Sequence, residues 1–449
     1  MAPHFKLPCR DVLMDEKLDI ELVDVDDPEV EICLSAPDEK GLIYTSSAVF
    51  KPRNGVVSLT KDAPLAGSYS GIDPMGLFCS LRPPDSGPPW ARLFKKDVLS
   101  PFVHELSAYP FPRSAAVLTR ASIRRWYKSP GVTRIPVRSG RLRGTLFIPE
   151  GEGPFPATID LFGTIGGLLE FRSALLASRG IASFALAYFK FEDLPPNLDK
   201  IDMSYFEEAI DYLRAQSCVS SVAVIGVSLG AVLAVQCAAS FPEKVQAAVS
   251  ISGNYFLSQA VHYKGTPIGH CKEVDMSFVK VREDGVIEAL ACNEEHDRKH
   301  PDCPGTLKSS GLKSALLLLS GDDDRNWCAA PGHRRYCSLL EQNGHTPPVF
   351  DMCYKNAGHI IEPPFAPPCL QSFHPSFGVT VAWGGVPSYH VAAQAHAWRV
   401  LLCFLRACTR SPAARALEPA PAERYAASFQ QHYVDPLGRD VRSPAQSKL

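Results

Sequence analysis

The run Val222-Ala223-Val224-Ile225-Gly226-Val227-Ser228-Leu229-Gly230-Ala231 constrains what this chain can fold into more than any other stretch. A short apolar, mostly β-branched segment feeds a Gly-x-Ser-x-Gly turn, which opens directly into a helix-compatible stretch, Val232 to Ala239. Strand, sharp turn and helix in that order make a nucleophile elbow. A serine at the tip of so tight a turn holds a strained backbone, and neighbours without a Cβ let strand and helix close around it. The Ser228 hydroxyl then projects above the carboxyl ends of the strands, and the Leu229 N–H points into the same space as an oxyanion donor. The competing reading, an ordinary glycine-rich strand-to-helix turn, is weighed by whether the rest of the chain supplies partners for the serine.

The surrounding pattern supports a parallel sheet. Strands are expected at Leu142 to Ile148, Ala157 to Phe162, Ile181 to Tyr188, Val245 to Ser252, Ser314 to Ser320 and Pro348 to Tyr354, with helices at Leu168 to Arg179 and Tyr205 to Gln216. Strands alternating with helices mean a mostly parallel sheet covered on both faces, and ligands bind at the carboxyl ends of such strands. Residues before about 133 read differently. Val30 to Leu34, Leu42 to Phe50 and Val56 to Leu59 are short strands separated by turn clusters such as Pro37-Asp38-Glu39-Lys40-Gly41, the signature of a β-sandwich. The expected division is 1–132, an N-terminal β-sandwich; 133–412, an α/β domain; and 413–449, a tail. Tyr263 to Ser310 fits no regular element and reads as an insertion; a helical piece is expected around Ala420 to His432.

Composition narrows the functional classes. At 449 residues and a formal net charge of −2, the chain has no bulk attraction for nucleic acid or anionic membrane. Its fourteen cysteines show no Cys-x-x-Cys pair and no zinc spacing, so no metal is expected. Several, including Cys33, Cys79, Cys237 and Cys403, lie in apolar runs, where buried thiols in a reducing compartment are the expectation. Val391 to Cys408 comes nearest to a membrane span but carries His396, Arg399 and Arg406. Asp11, Asp15 and Glu16 argue against a mitochondrial presequence. Ser447-Lys448-Leu449 has the form of the address read by the peroxisomal import receptor, so a peroxisomal location is expected, with the cytosol as alternative.

A serine hydroxyl needs a histidine base, and the base needs a carboxylate to fix its tautomer. In this type of fold the chain order is Ser, acid, His. Leu316-Leu317-Leu318-Leu319-Ser320-Gly321-Asp322-Asp323-Asp324 offers the acid after a late strand. The usual spacing from the glycine selects Asp324, with Asp323 as runner-up and Asp322 and Asp323 otherwise solvated turn residues. His359 follows the last expected strand in Tyr354-Lys355-Asn356-Ala357-Gly358-His359; His374, His390 and His396 come later and are weaker candidates. The second oxyanion donor is expected near Gly163 or Thr164. The spacing of Phe162 to Gly167 is wrong for a dinucleotide fingerprint, and no cofactor is expected.

Beyond these residues, the chain resembles the type I acyl-CoA thioesterases, whose family includes the bile acid-CoA:amino acid N-acyltransferases. The resemblance covers nearly the whole chain. It rests on Gly71-Ile72-Asp73-Pro74-Met75-Gly76-Leu77, Gly153-Pro154-Phe155-Pro156, Phe162-Gly163-Thr164, Ala185-Leu186-Ala187-Tyr188, Glu192-Asp193-Leu194-Pro195, Asn326-Trp327, Gly358-His359-Ile360-Ile361-Glu362-Pro363-Pro364 and Trp383-Gly384-Gly385. It implies a β-sandwich followed by an α/β-hydrolase domain, and hydrolysis of acyl-CoA thioesters to free acid and CoA. It carries nucleophile, acid and base onto Ser228, Asp324 and His359. Family members that conjugate amino acids use cysteine at the nucleophile; serine here favours water as acceptor over glycine or taurine. Two positions depart from the thioesterase pattern: Leu229-Gly230-Ala231 replaces the common Lys-Gly-Gly, and Arg325 stands where histidine follows the acid.

Overall fold

The computed structural model describes residues 1–88, 91–113, 116–198, 200–257, 259–269, 274–300, 306–408 and, as backbone, 430–434. The chain divides into two compact units, Met1–Ser129 with Pro363–Cys369, and Pro130–Glu362 with Leu370–Leu449.

The first unit is β-rich. A six-stranded sheet runs in the order Asp11–Leu13, Thr119–Trp126, Phe102–Pro110, Val30–Pro37, Ile43–Phe50, Ala66–Gly67, and a three-stranded sheet contains His4–Lys6, Glu21–Val23 and Val57–Ser58. The expected early strands are present within a few residues. Along Val30–Pro37, Val30, Ile32, Leu34 and Ala36 are buried and alternate with more exposed neighbours, the period of two that half-buried strands require. Arg125 faces inward from this sheet, about 1% exposed, and donates to the carbonyls of Met14 and Phe365. The bond to Phe365 ties Pro363–Cys369 into the first unit, a return visit that strand and helix patterns give no hint of.

The second unit holds the α/β sheet. In chain order its strands are β1 (Thr133–Ser139), β2 (Leu142–Ile148), β3 (Phe155–Leu161), β4 (Ala182–Ala187), β5 (Val219–Val227), β6 (Ala247–Ile251), β7 (Ala315–Gly321), β8 (Val349–Tyr354) and β9 (Gln430–Val434). In space they lie β1-β2-β4-β3-β5-β6-β7-β8-β9. The first two pairings are antiparallel and the rest are parallel. Register aligns the strand ends: Leu161 pairs with Gly226, Val227 with Ile251, Ile251 with Leu319, and Gly321 with Tyr354. Segments leaving β3, β5, β7 and β8 therefore depart from one edge of the sheet.

Helices flank these strands. Met203–Arg214 starts two residues earlier than the apolar pattern suggests because the Asp202 carboxylate accepts from Ser204 N at 2.9 Å and caps it. Leu229–Ser240 is buried on almost every side, so its sequence carries no amphipathic stripe. Helices Ala329–Gln342 and Pro387–Cys408 complete the α/β pattern. No helix among the described residues is long and apolar enough to cross a membrane.

Three expectations need correcting. Within 263–310 the structure forms a helix, Leu290–Lys299, whose buried residues are Cys292, Asn293 and His296; polar burial hides it from a hydrophobic-periodicity search. The helical reading of Ala420 to His432 fails at its far end, because 430–434 is a strand that pairs with β8 and extends the sheet edge; 420–429 lie outside the described residues. Among the cysteines in apolar runs, Cys79 and Cys237 are buried, but Cys33 is half-buried and Cys403 is exposed.

Two buried polar groups yield stability tests. Asp160 on β3 pairs with Arg172, whose Nε donates to Oδ1 at 2.9 Å, while Ser173 Oγ donates to Oδ2 at 3.0 Å. Arg172 also lies 4.6 Å over the Phe162 ring. Asp160→Ala leaves a buried guanidinium unpaired and is expected to lower the unfolding free energy by about 3–5 kcal/mol, read by urea titration.

Asp351 on β8 is buried, with its carboxyl pushed up to about 7 by burial. His333 lies 3.8 Å away and is held down near 3 by the same cause. A carboxyl raised on folding contributes its full stability below the ordinary value of about 3.9 and loses it as pH climbs through the raised one. Wild-type protein is thus expected to lose stability between pH 4 and 7 relative to Asp351→Asn, a difference visible in urea midpoints measured across that window.

Candidate active site

The elbow forms as the sequence requires. Ser228, between β5 and the Leu229–Ser240 helix, sits at φ 57°, ψ −127°, a left-handed conformation costly for any residue with a Cβ. Its amide is fixed by Ile251 O at 2.9 Å. A Cβ at Gly226 would lie 1.9 Å from Gly230 O, and one at Gly230 would lie 2.6 Å from Leu161 O. Both glycines are there because two backbones meet where a side chain has no room.

Gly163, in the loop after β3, touches the serine directly: a Cβ there would fall 2.8 Å from Ser228 Cβ and 3.2 Å from Oγ. Tyr188 Oη donates to Phe162 O and holds that loop. On the other side, Leu229 is the first residue of the helix, and its N–H has no acceptor among the described residues. The two expected oxyanion positions thus adjoin the serine by contact and by sequence.

Asp324 and His359 meet. His359 Nδ1 lies 2.7 Å from Asp324 Oδ2, and both side chains are essentially excluded from solvent. Asp324 Oδ1 accepts from Asn326 N at 2.8 Å and Trp327 N at 2.9 Å, which fixes the carboxylate plane. The imidazole stacks on Trp383, with centroids 5.5 Å apart at 19°, and meets the edge of Trp327 at 5.8 Å. Its backbone N–H donates to Trp383 O at 2.8 Å. With Nδ1–H donated to the carboxylate, Nε2 carries the lone pair that a general base needs. That nitrogen faces Asn326 Nδ2 at 3.4 Å. Among the described residues no hydrogen bond joins His359 to Ser228 Oγ.

The other candidates have different roles. Asp322 is exposed and accepts from Asn356 N. Asp323 is more than a solvated turn residue: its Oδ2 accepts from Gly385 N at 2.8 Å, and it pairs with Arg325. His374 lies in the strand Gln371–His374, contacts Thr164 Oγ1 at 3.1 Å and is pushed down to about 4 by burial. His396 bonds Tyr354 Oη at 3.1 Å.

His390 turns out to brace the loop that carries His359. Its Nδ1 accepts from Gly358 N at 2.9 Å and its Nε2 donates to Ile360 O at 2.8 Å, gripping the chain on both sides of His359. Trp383 and Asn326 contact the imidazole without having been assigned a role from spacing; only the family resemblance singled them out.

Strand order, elbow and the placement of the four segments at one sheet edge define an α/β-hydrolase domain. Two family models match the chain: "Acyl-CoA thioester hydrolase/BAAT N-terminal region" over residues 15–139 and "BAAT / Acyl-CoA thioester hydrolase C terminal" over residues 201–411. Human "Acyl-coenzyme A thioesterase 1" is 38% identical over 391 residues, 84% of this chain and 90% of that protein. Mouse "Bile acid-CoA:amino acid N-acyltransferase" is 37% identical over 407 residues, 88% of this chain and 95% of that protein. Mouse "Peroxisomal succinyl-coenzyme A thioesterase" is 36% identical over 376 residues, 82% and 87% of the two chains. The chain belongs to the family of acyl-CoA thioester hydrolases and bile acid-CoA:amino acid N-acyltransferases.

The brace supplies a test that does not depend on activity. His390→Ala strands the buried Gly358 N–H and is expected to cost about 1–3 kcal/mol of unfolding free energy, read by urea titration.

Proposed function

We propose that this chain hydrolyses acyl-CoA thioesters to free acid and CoA, with Ser228 as nucleophile, His359 as general base and Asp324 as the group that orients it. The observation that carries this reading is the 2.7 Å imidazole–carboxylate bond formed at the same sheet edge as a serine held at positive φ. His359 takes the Ser228 proton as Oγ attacks the thioester carbonyl. The Leu229 N–H and a donor at Gly163 receive the developing oxyanion. The thioester C–S bond breaks and CoA leaves as the thiol, protonated by the imidazolium. A water, deprotonated in turn by His359, attacks the acyl-serine ester; the C–Oγ bond breaks, the imidazolium returns its proton to Ser228 Oγ, and the acid is released.

Fatty acyl groups are the proposed substrates and lipid metabolism the setting. Chemistry is assigned to residues 133–412 of the proposed division 1–132, 133–412 and 413–449, with two amendments: 363–369 belongs with the first unit, and 430–434 adds a strand to the catalytic sheet. Ser228→Ala is expected to fold normally and to lower thiol release from acyl-CoA by about a thousandfold or more in a thiol-trapping assay. Undiminished turnover in that variant would falsify the assignment.

The second reading is transfer of the acyl group to glycine or taurine, favoured by the 37% identity to the mouse acyltransferase. Serine at position 228, where the resemblance implies cysteine in members that conjugate amino acids, argues for water instead. Incubation with acyl-CoA and radiolabelled glycine is expected to yield free acid and no labelled conjugate. A third reading, a non-catalytic acyl-CoA binder, predicts binding without thiol release.

Ser447-Lys448-Leu449 lies outside the described residues, and recognition by the peroxisomal import receptor is part of the proposal. Residues 440–449 placed at the end of a fluorescent protein are expected to carry it into peroxisomes, and deletion of the last three is expected to leave it cytosolic.

A further inference from the structure

The insertion between β6 and β7 is not a detached loop. Its strand Ile287–Glu288 and helix Leu290–Lys299 bond to the chain on both sides of His359. On one side is the acid loop. Arg325 O accepts from Ala289 N at 3.1 Å and Leu290 N at 3.0 Å. Asn293 Nδ2 donates to Asn326 O at 2.9 Å and to Ala289 O at 3.2 Å, so both its protons are used. On the other side, Ile287 pairs with Val381 in the strand Val379–Ala382, which runs straight into Trp383, the residue stacked on His359.

The peptide groups of the acid loop show what this does. The plane joining residues 325 and 326 has its N–H on Asp324 Oδ1 and its carbonyl on the helix start at Ala289 and Leu290. The plane joining 326 and 327 has its N–H on the same Oδ1 and its carbonyl on Asn293 Nδ2. A trans peptide is rigid, so fixing the carbonyl fixes the direction of the N–H across it. The amides that orient the carboxylate are themselves oriented by the insertion. The same two planes set the stem of Asn326, whose Nδ2 faces His359 Nε2 at 3.4 Å.

We propose that 287–299 is a positioning element for the reaction, and that Asn293 is a positioning residue that acts through the Asn326–Trp327 peptide on Asp324 and His359. This rests on the assignment of Ser228, Asp324 and His359 made above. Asn293 is about 6% exposed, and its two hydrogen bonds go to backbone carbonyls of the chain itself, which makes it a support rather than a substrate contact.

The test compares Asn293→Ala and Asn293→Asp with wild-type protein and with Ser228→Ala. Asn293→Ala removes both donated bonds and is expected to lower kcat about tenfold with KM within about twofold, because geometry of the reacting groups is lost and substrate contacts are not. Asn293→Asp replaces a double donor with a carboxylate facing two carbonyls and is expected to lose more. The downfield proton resonance of His359 Nδ1–H, shared with Asp324, is expected to shift or broaden in both variants while thermal melts confirm a folded protein. Asn293→Ser, which keeps one donor, is expected to fall between wild type and Asn293→Ala, and it serves as the reading should Asn293→Ala not fold. Folded variants with wild-type kcat overturn the proposal. So does a loss of kcat with an unchanged imidazole resonance, which assigns Asn293 a general structural role. Turnover surviving in Ser228→Ala would instead remove the assignment beneath; an inactive Ser228→Ala beside silent Asn293 variants removes only this inference.

Discussion

The second unit depends on two backbones meeting with nothing between them. Gly226 and Gly230 face each other across the turn, and Gly230 also rests on the carbonyl that ends β3. That close approach leaves Ser228 no conformation but a strained one, and the strain is held by the Ile251 carbonyl and the buried helix that follows. Any larger residue at either glycine would push the helix off the strand. The serine would then leave the sheet edge where the loops carrying Asp324 and His359 also emerge.

Around His359 the structure relies on flat surfaces and backbone bonds more than on charge. Trp383 covers one face of the imidazole, Trp327 meets its edge, and Asp324 holds one nitrogen. His390 grips the peptides before and after it. The acid is restrained from both ends, by its own loop amides and by an insertion that fixes the far side of the same peptides. Under the proposed function, an imidazole that must accept and return a proton without drifting is well served by such redundant restraint.

Much of this was legible in the chain because its signals are local. The elbow, the apolar strands β3 to β8 and the positions of Asp324 and His359 follow from glycine sterics, β-branched runs and fixed chain order. The acid was harder, since Asp322, Asp323 and Asp324 are chemically identical: spacing from Gly321 selected Asp324, and the structure buries that one while leaving Asp322 exposed and Asp323 half-buried. What stayed hidden has no period. Leu290–Lys299 buries Cys292, Asn293 and His296 rather than a leucine stripe. His390 contributes two ring nitrogens to a loop 30 to 32 residues away, a contact that spacing cannot encode. Strand β9 joins the sheet from beyond a stretch rich in alanine and proline, where composition pointed to a tail.

The return of Pro363–Cys369 to the first unit changes what a domain boundary means here. The chain passes from the His359 loop, only four residues after that histidine, into a segment whose Phe365 carbonyl accepts a hydrogen bond from the buried Arg125. Phe365 itself stands at φ 66°, an uncomfortable backbone for a bulky residue. Cutting the gene after codon 129 would not liberate an independent module: it would strip a sequestered guanidinium of one of its two carbonyl partners. On the ribosome the first unit is correspondingly completed only after residues 363–369 have been made, long after its own first 129 residues.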